Sequence, residues 1–219
     1  SDYAGNHKTI EYSRSINKAS RGEAFDFKVG IGHTFAICGD YLKITPLAGY
    51  AQMEQHLKMY HGNQTVDLIG LGHGRFPGLN SSYNARWESP WIGVDLLFQP
   101  GCDLVLYGSF EAHLPYYKGK GHWNLRTDFF DDFVHKANGK GYWVTLGGFY
   151  PLFSGLEVGF TGEAALFKAS HGTDTTRFLD VIVDDQGTII GEQVVTGKTR
   201  LNSVHWRSYR FQAFLAYVF

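Results

Sequence analysis

The sequence contains no apolar run of the roughly 18 residues a membrane-crossing helix needs, so no transmembrane helix is expected. It has little cysteine: two residues, Cys38 and Cys102, in neither a metal-ligand nor a redox spacing. Proline is scarce at 6 of 219 residues. No excess of one charge exists, with 20 Lys+Arg against 21 Asp+Glu. Without a basic surplus to neutralise phosphates, a nucleic-acid partner is excluded. What the chain does have is 16% aromatic residues and 27 glycines. Aromatics and glycine with few prolines fit strands, tight turns and interfacial girdles. A mean hydropathy of -0.22 would suit a water-soluble protein. That average misleads for membrane barrels, whose strands alternate apolar and polar side chains. Ser1-Asp2-Tyr3 does not open a signal peptide, so either one has been removed or the chain begins inside a longer precursor.

No long segment keeps apolar residues at helical spacing; period-two alternation recurs instead. Expected strands cover 24–35 (Phe25, Phe27, Val29 and Ile31 in phase), 41–59, 84–99, 103–117, 142–153, 156–168 and about 203–219. The last of these carries Tyr209, Phe211, Ala213, Leu215, Tyr217 and Phe219 on one face. A further strand at 8–16 is suggested by Ile10, Tyr12 and Ile16. Residues 36–40, 100–102 and 154–155 read as tight turns, whereas 60–83, 118–141 and 169–202 read as long polar loops. Short turns at one end and long loops at the other are the outer-membrane barrel pattern. The expectation is one all-β domain over 1–219, an antiparallel transmembrane β-barrel in the bacterial outer membrane.

Asp26, Lys28, Lys43, Asp95, Glu111, His113, Glu157, Glu163 and Arg210 fall on the phase opposite the apolar rows. They should face the lumen, where both signs can pair. Cys38 and Cys102 fall in turns two strand spacings apart, roughly 10 Å. A disulfide needs Cα atoms within about 7 Å, so a bridge requires the turns to lean together. Bridge and free thiols both stay open. The ten histidines, including His56, His61, His113 and His122, form no compact ligand motif, and no metal or other cofactor is expected.

Several patches, in order, carry a family resemblance. Leu47-Ala48-Gly49-Tyr50, Arg86-Trp87-Glu88-Ser89-Pro90-Trp91-Ile92-Gly93-Val94, Gly108-Ser109-Phe110, Tyr142-Trp143-Val144 and the final aromatic-x-Phe together resemble the omptin outer-membrane proteases. The likeness covers residues 20–219. Omptins form ten-stranded barrels, so the resemblance implies a chain that begins within an extracellular loop and lacks the first strands. Eight strands here make either a small barrel or most of a ten-stranded one, which a further chain segment would close.

Omptins cleave peptides with aspartates and an Asp–His pair at the extracellular rim. The Asp-x-His element should fall where this chain reads His122-Trp123-Asn124, and Asn cannot take a proton at neutral pH. Asp2 matches one member of the other aspartate pair. The resemblance therefore implies a non-proteolytic barrel with a structural, surface-interaction or narrow-pore role. The alternative is a protease whose chemistry has moved to Asp131, Asp132 and His135. Omptins also bind lipopolysaccharide near the rim. Tyr50 and Arg86 match two such positions, while Glu54 stands where a basic residue would help, so outer-membrane lipid or lipopolysaccharide is the expected partner.

Overall fold

Alternating side chains suit a pleated strand, and a strand in hydrocarbon must pair its backbone with neighbours. The computed structural model describes residues 2–4, 9–19, 21–37, 39, 41–68, 70, 72–101, 103–153 and 155–217. They form eleven strands in one antiparallel sheet. These are β1 (Asp2–Ala4), β2 (Ile10–Lys18), β3 (Glu23–Gly32), β4 (Phe35–Ile37), β5 (Leu42–Asp67), β6 (Gly74–Phe98), β7 (Val105–His113), β8 (Tyr116–His122), β9 (Phe133–Phe153), β10 (Leu156–Val183) and β11 (Ile189–Tyr217).

The sheet runs β1, β2, β5, β6, β7, β9, β10, β11; β3 and β4 also pair with β5, and β8 fills the space between β6 and β9. Thus β2, β3 and β4 succeed one another along β5, and β7 and β8 succeed one another along β6. Apart from these end-to-end segments, strands consecutive in the chain pair with each other, as hairpins give. Among the described residues no ladder joins β3 to β11, so both carry a free backbone edge.

Two expectations need correction. The segment near 8–16 is not a separate spanning strand: β2 continues the line of β3 above it, against Tyr60–Asp67 of β5. The stretches 60–83, 118–141 and 169–202 are not long loops. They are mostly strand, with only 68–73, 123–132 and 184–188 lying outside the strands. Their polar composition reflects strands standing in water above the membrane, where the ladder no longer needs an apolar face. Tight local chemistry makes one such turn. Asp184 Oδ1 accepts the N–H groups of Gln186 (2.9 Å) and Thr188 (2.8 Å), and Gly187 takes the φ of 79° that suits glycine.

The apolar face is outward. Phe27, Leu96, Phe110 and Phe211 are all exposed, Phe211 by 83%. Outward apolar side chains cover 142–152 on β9, 156–166 on β10 and 209–217 on β11. Each stretch is close to the roughly 9–11 residues of a spanning strand.

The inward face is packed. Met53, Trp87, Tyr117 and Phe167 are buried, from β5, β6, β8 and β10. Trp87 meets Tyr117 at 4.6 Å and Phe167 at 6.0 Å between ring centroids. Strands several places apart in the sheet touch, so the sheet is strongly curled. Glycine makes room for the large rings: a Cβ on Gly30 or Gly49 would fall 2.6 Å from the Trp91 ring.

Arginine at Leu146, mid-band and facing out, is expected to cost about 2–4 kcal/mol of membrane insertion. Leu179→Arg, on β10 above the band, is expected to leave insertion nearly unchanged. Heat-modifiable electrophoretic mobility of folded barrel in outer membranes measures both; equal loss would show that Leu146 does not face lipid.

Candidate functional site

Three places on this frame carry chemistry: the lumen, the extracellular mouth and the outer border of the apolar band. In the lumen, Lys28 Nζ of β3 donates to Glu111 Oε1 of β7 at 2.6 Å. Glu111 Oε2 lies 3.0 Å from His113 Nε2. Lys28 also stands 4.4 Å above the Trp143 ring of β9 and 5.8 Å from that of Trp91. The cation is thus balanced by one carboxylate and two aromatic faces across the curl of the sheet. Arg210 Nη1 donates to Glu163 Oε2 at 3.4 Å, joining β11 to β10. Asp95 lines a cavity of 510 Å³ on the periplasmic side of this network, with Lys28, Thr45, Ser109, Glu111 and Thr145. Glu157 lines a second space, of 480 Å³, beside Gln99, Gly101, Asp103 and Leu104.

At the mouth, the structure separates the three residues of the relocated-protease reading. Asp131 is bound by Arg177, with Nε to Oδ2 at 3.0 Å. Asp132 pairs with His122 (2.9 Å) and Lys120 (3.1 Å). Burial pushes the Asp132 carboxyl up, but these two partners outweigh it and hold it below the usual range. His135 touches neither aspartate. Its Nδ1 lies 2.8 Å from Tyr83 Oη, and its Nε2 3.5 Å from Asp174 Oδ1 of β10. Tyr83 Oη in turn bonds Tyr117 Oη. Burial lowers the His135 imidazole, opposed by the Asp174 charge. Burial also raises both tyrosines, with the neighbouring phenol adding to the rise at Tyr83. Both phenols therefore stay protonated and serve as hydrogen-bond partners rather than nucleophiles.

Asn124, where the resemblance placed a histidine, clamps a turn. Its Oδ1 accepts from the Asn80 N–H (2.8 Å) and Ser81 Oγ (3.0 Å), and its Nδ2 donates to the Gly78 carbonyl (2.7 Å). Trp123 stacks on Phe133 at 5.4 Å, and Phe133 meets His135 at 4.9 Å. Asp2 lies in β1, and its side chain is outside the described residues, as are Cys38 and Cys102.

At the outer border, Tyr50 and Arg86 both face outward. Arg86 is surrounded: Nη2 reaches Glu88 at 2.7 Å and Gln52 at 3.0 Å, and Nε lies 3.4 Å from Glu54. On β9, β10 and β11 the first outward residues above the apolar band are Lys140, Lys168 and Arg207, all exposed. The expected strands held Tyr117, Lys168 and Arg207 but stopped just short of Tyr83 and Lys140, and 169–202, with Asp174, was taken as a loop. Extending the same period-two phase would have placed Tyr83 and Lys140, whereas Asp174 lies beyond the irregularity between Ser170 and Thr173.

An antiparallel sheet with an apolar exterior, a charged and aromatic interior and strands prolonged at one end defines an outer-membrane β-barrel protein. The whole chain, residues 1–219, matches the model of the Pom family, Protochlamydia outer membrane protein. The chain belongs to that family, and its place is the Gram-negative outer membrane. Its fold is similar to the crystal structure of outer membrane protease OmpT from Escherichia coli, with a TM-score of 0.63 and 15% identity over 94% of this chain and 68% of that one. No curated protein matches the sequence.

With the His135 pKa lowered in the folded state, the unfolded state binds the extra proton first. The mouth keeps full stability above the ordinary histidine value of about 6.5 and loses stability as pH falls through it toward the folded value. Trp123 fluorescence in detergent should therefore change on acidification below about 6.5, and His135→Phe should abolish the change. An unaltered titration in that variant would assign it to another group.

Proposed function

We propose that this chain is the larger part of a non-proteolytic outer-membrane barrel with a narrow pore, closed by further strands between β3 and β11. One observation carries the reading. Asp26, Asp95 and Arg210 point inward yet remain exposed, on the side of the lumen that the aromatic cluster leaves unfilled. About eight strands give a barrel just wide enough for side chains to fill, and each added strand widens it. The packed cluster occupies the concave side of β5–β10. Strands spanning the gap from β3 to β11 would stand across from it and leave a charged, wet path along that side. The Lys28–Glu111–His113 network would form its constriction. The loss of a proton acceptor at Asn124, and the engagement of Asp131 with Arg177 and Asp132 with His122 and Lys120, support the absence of omptin-type peptide cleavage.

In planar bilayers the full-length protein should give small discrete current steps, reduced several-fold by Asp95→Trp. Peptide substrates should remain uncleaved by wild type and by His135→Ala alike. Inserted, heat-modifiable protein without current would sink the pore and leave a structural or surface role. Cleavage lost in His135→Ala would restore the protease reading.

A further inference from the structure

The border of the apolar band is charged differently around the sheet. Above the band on β3, β5 and β6 the outward residues are Glu23, Gln52, Glu54, Arg86 and Glu88, so cation and anions cancel locally. On β9, β10 and β11 the border is purely basic. Lys140 stands directly opposite Lys168, and Lys168 opposite His205. Arg207 lies opposite Leu166, one outward step below. Like charges facing each other across a ladder are destabilising unless something lies between them. Among the described residues none of Lys140, Lys168 and Arg207 meets a carboxylate. Their outward neighbours above are Asn138, Ser170 and His205, none of them a carboxylate.

A second feature adjoins this row. Between β6, β7 and β9 the outer surface is dented by a groove of 280 Å³, lined on its outward side by Pro90, Ile92, Ala112, Leu114 and Tyr142, with Lys140 at its rim. It lies where β7 gives way to β8, between His113 and Tyr116. An apolar slot beneath a cation is complementary to an acyl chain beneath a phosphate.

We infer that β9–β11 carry a binding site for a phosphate-bearing lipid, with the headgroup phosphate held by Lys140, Lys168 and Arg207 and one acyl chain laid in the groove below Lys140. Its cations are distinct from Arg86, which is already neutralised by Glu54 and Glu88, although the groove's far wall, Pro90, pairs with Tyr50. It depends on the membrane placement of the sheet and not on the pore. A free phosphate would satisfy the cations but leave the groove empty, so lipid is the occupant the geometry selects. Arg207 offers a bidentate fork to phosphate oxygens, and the two lysines act as point charges beside it.

The test uses the full chain in detergent micelles, titrated with dioleoyl phosphatidic acid or dioleoyl phosphatidylcholine, with bound lipids counted by native mass spectrometry. Phosphatidic acid should bind at least about tenfold more tightly than phosphatidylcholine, and K140Q/K168Q/R207Q should lose at least about tenfold of that affinity. Lys198→Gln, high on β11, should change nothing, and Leu114→Trp, which fills the groove, should weaken binding several-fold. If the triple variant fails to fold by heat-modifiability, single Lys168→Gln should still give a measurable loss. Unchanged affinity in the folded cation variants, equal binding of the two lipids, or displacement of phosphatidic acid by equimolar inorganic phosphate would each overturn the site.

Discussion

A peptide group in hydrocarbon has no water to bond, so every N–H and C=O that meets lipid must find a partner in the protein. That requirement organises this molecule. It forces the long segments β5, β6, β9, β10 and β11, with β7 and β8 end to end between β6 and β9, into one continuous antiparallel sheet. The ladder fixes register, and register fixes which side chains see acyl tails. A slip of one residue on β10 would send Phe160 and Leu166 inward and Glu163 and Thr161 into lipid, a cost no local packing could offset. The free edges of β3 and β11 are the two places where the same requirement is still open.

The exterior and interior solve opposite problems with the same strands. Outside, single apolar residues repeat and need no partner of their own kind. Inside, the curl brings β3 against β9 and β6 against β10, so each large or charged group must fit its neighbours. Lys28 is set among Glu111, Trp143 and Trp91, and glycines at 30 and 49 clear the space. At the mouth a Tyr–Tyr–His–Asp chain replaces apolar packing, and its groups are held in the uncharged or paired forms that burial favours.

Much of this was legible beforehand. The phase of Phe25 to Ile31, of Pro90 to Phe98 and of Tyr209 to Tyr217 identified the lipid face, because one buried or solvated face per strand leaves a two-residue rhythm in the sequence. The lumen charges were legible as the complementary phase. The upper strands were not, since polar residues on both faces erase the rhythm, and Ala169-Ser170-His171 reads as loop unless its ladder to β9 and β11 is known. The pairing of His135 with Tyr83 and Asp174 was beyond reach for another reason. Those residues lie on three strands, and only the curl of the sheet brings them together. His135 and Asp132 are close in sequence, but their partners are not, because β9 departs from the loop 123–132 between them.

The hairpin of β10 and β11 continues well past the rest of the sheet. Pairing with β9 ends near Thr175; beyond it the partner strand is supplemented by the 123–132 segment, through the Phe178–Phe129 bridge, the Arg177–Asp131 pair and backbone bonds at Arg177 and Leu179. Residues 176–183 extend roughly 25 Å along the strand at about 3.3 Å per residue. A two-stranded ribbon alone is only marginally stable, so this projection should bend more readily than the wall beneath it. Its tip bears Val181, Val183, Ile189 and Ile190 in the open. Anything approaching the cell from outside would meet a compliant, greasy whisker before it met the barrel.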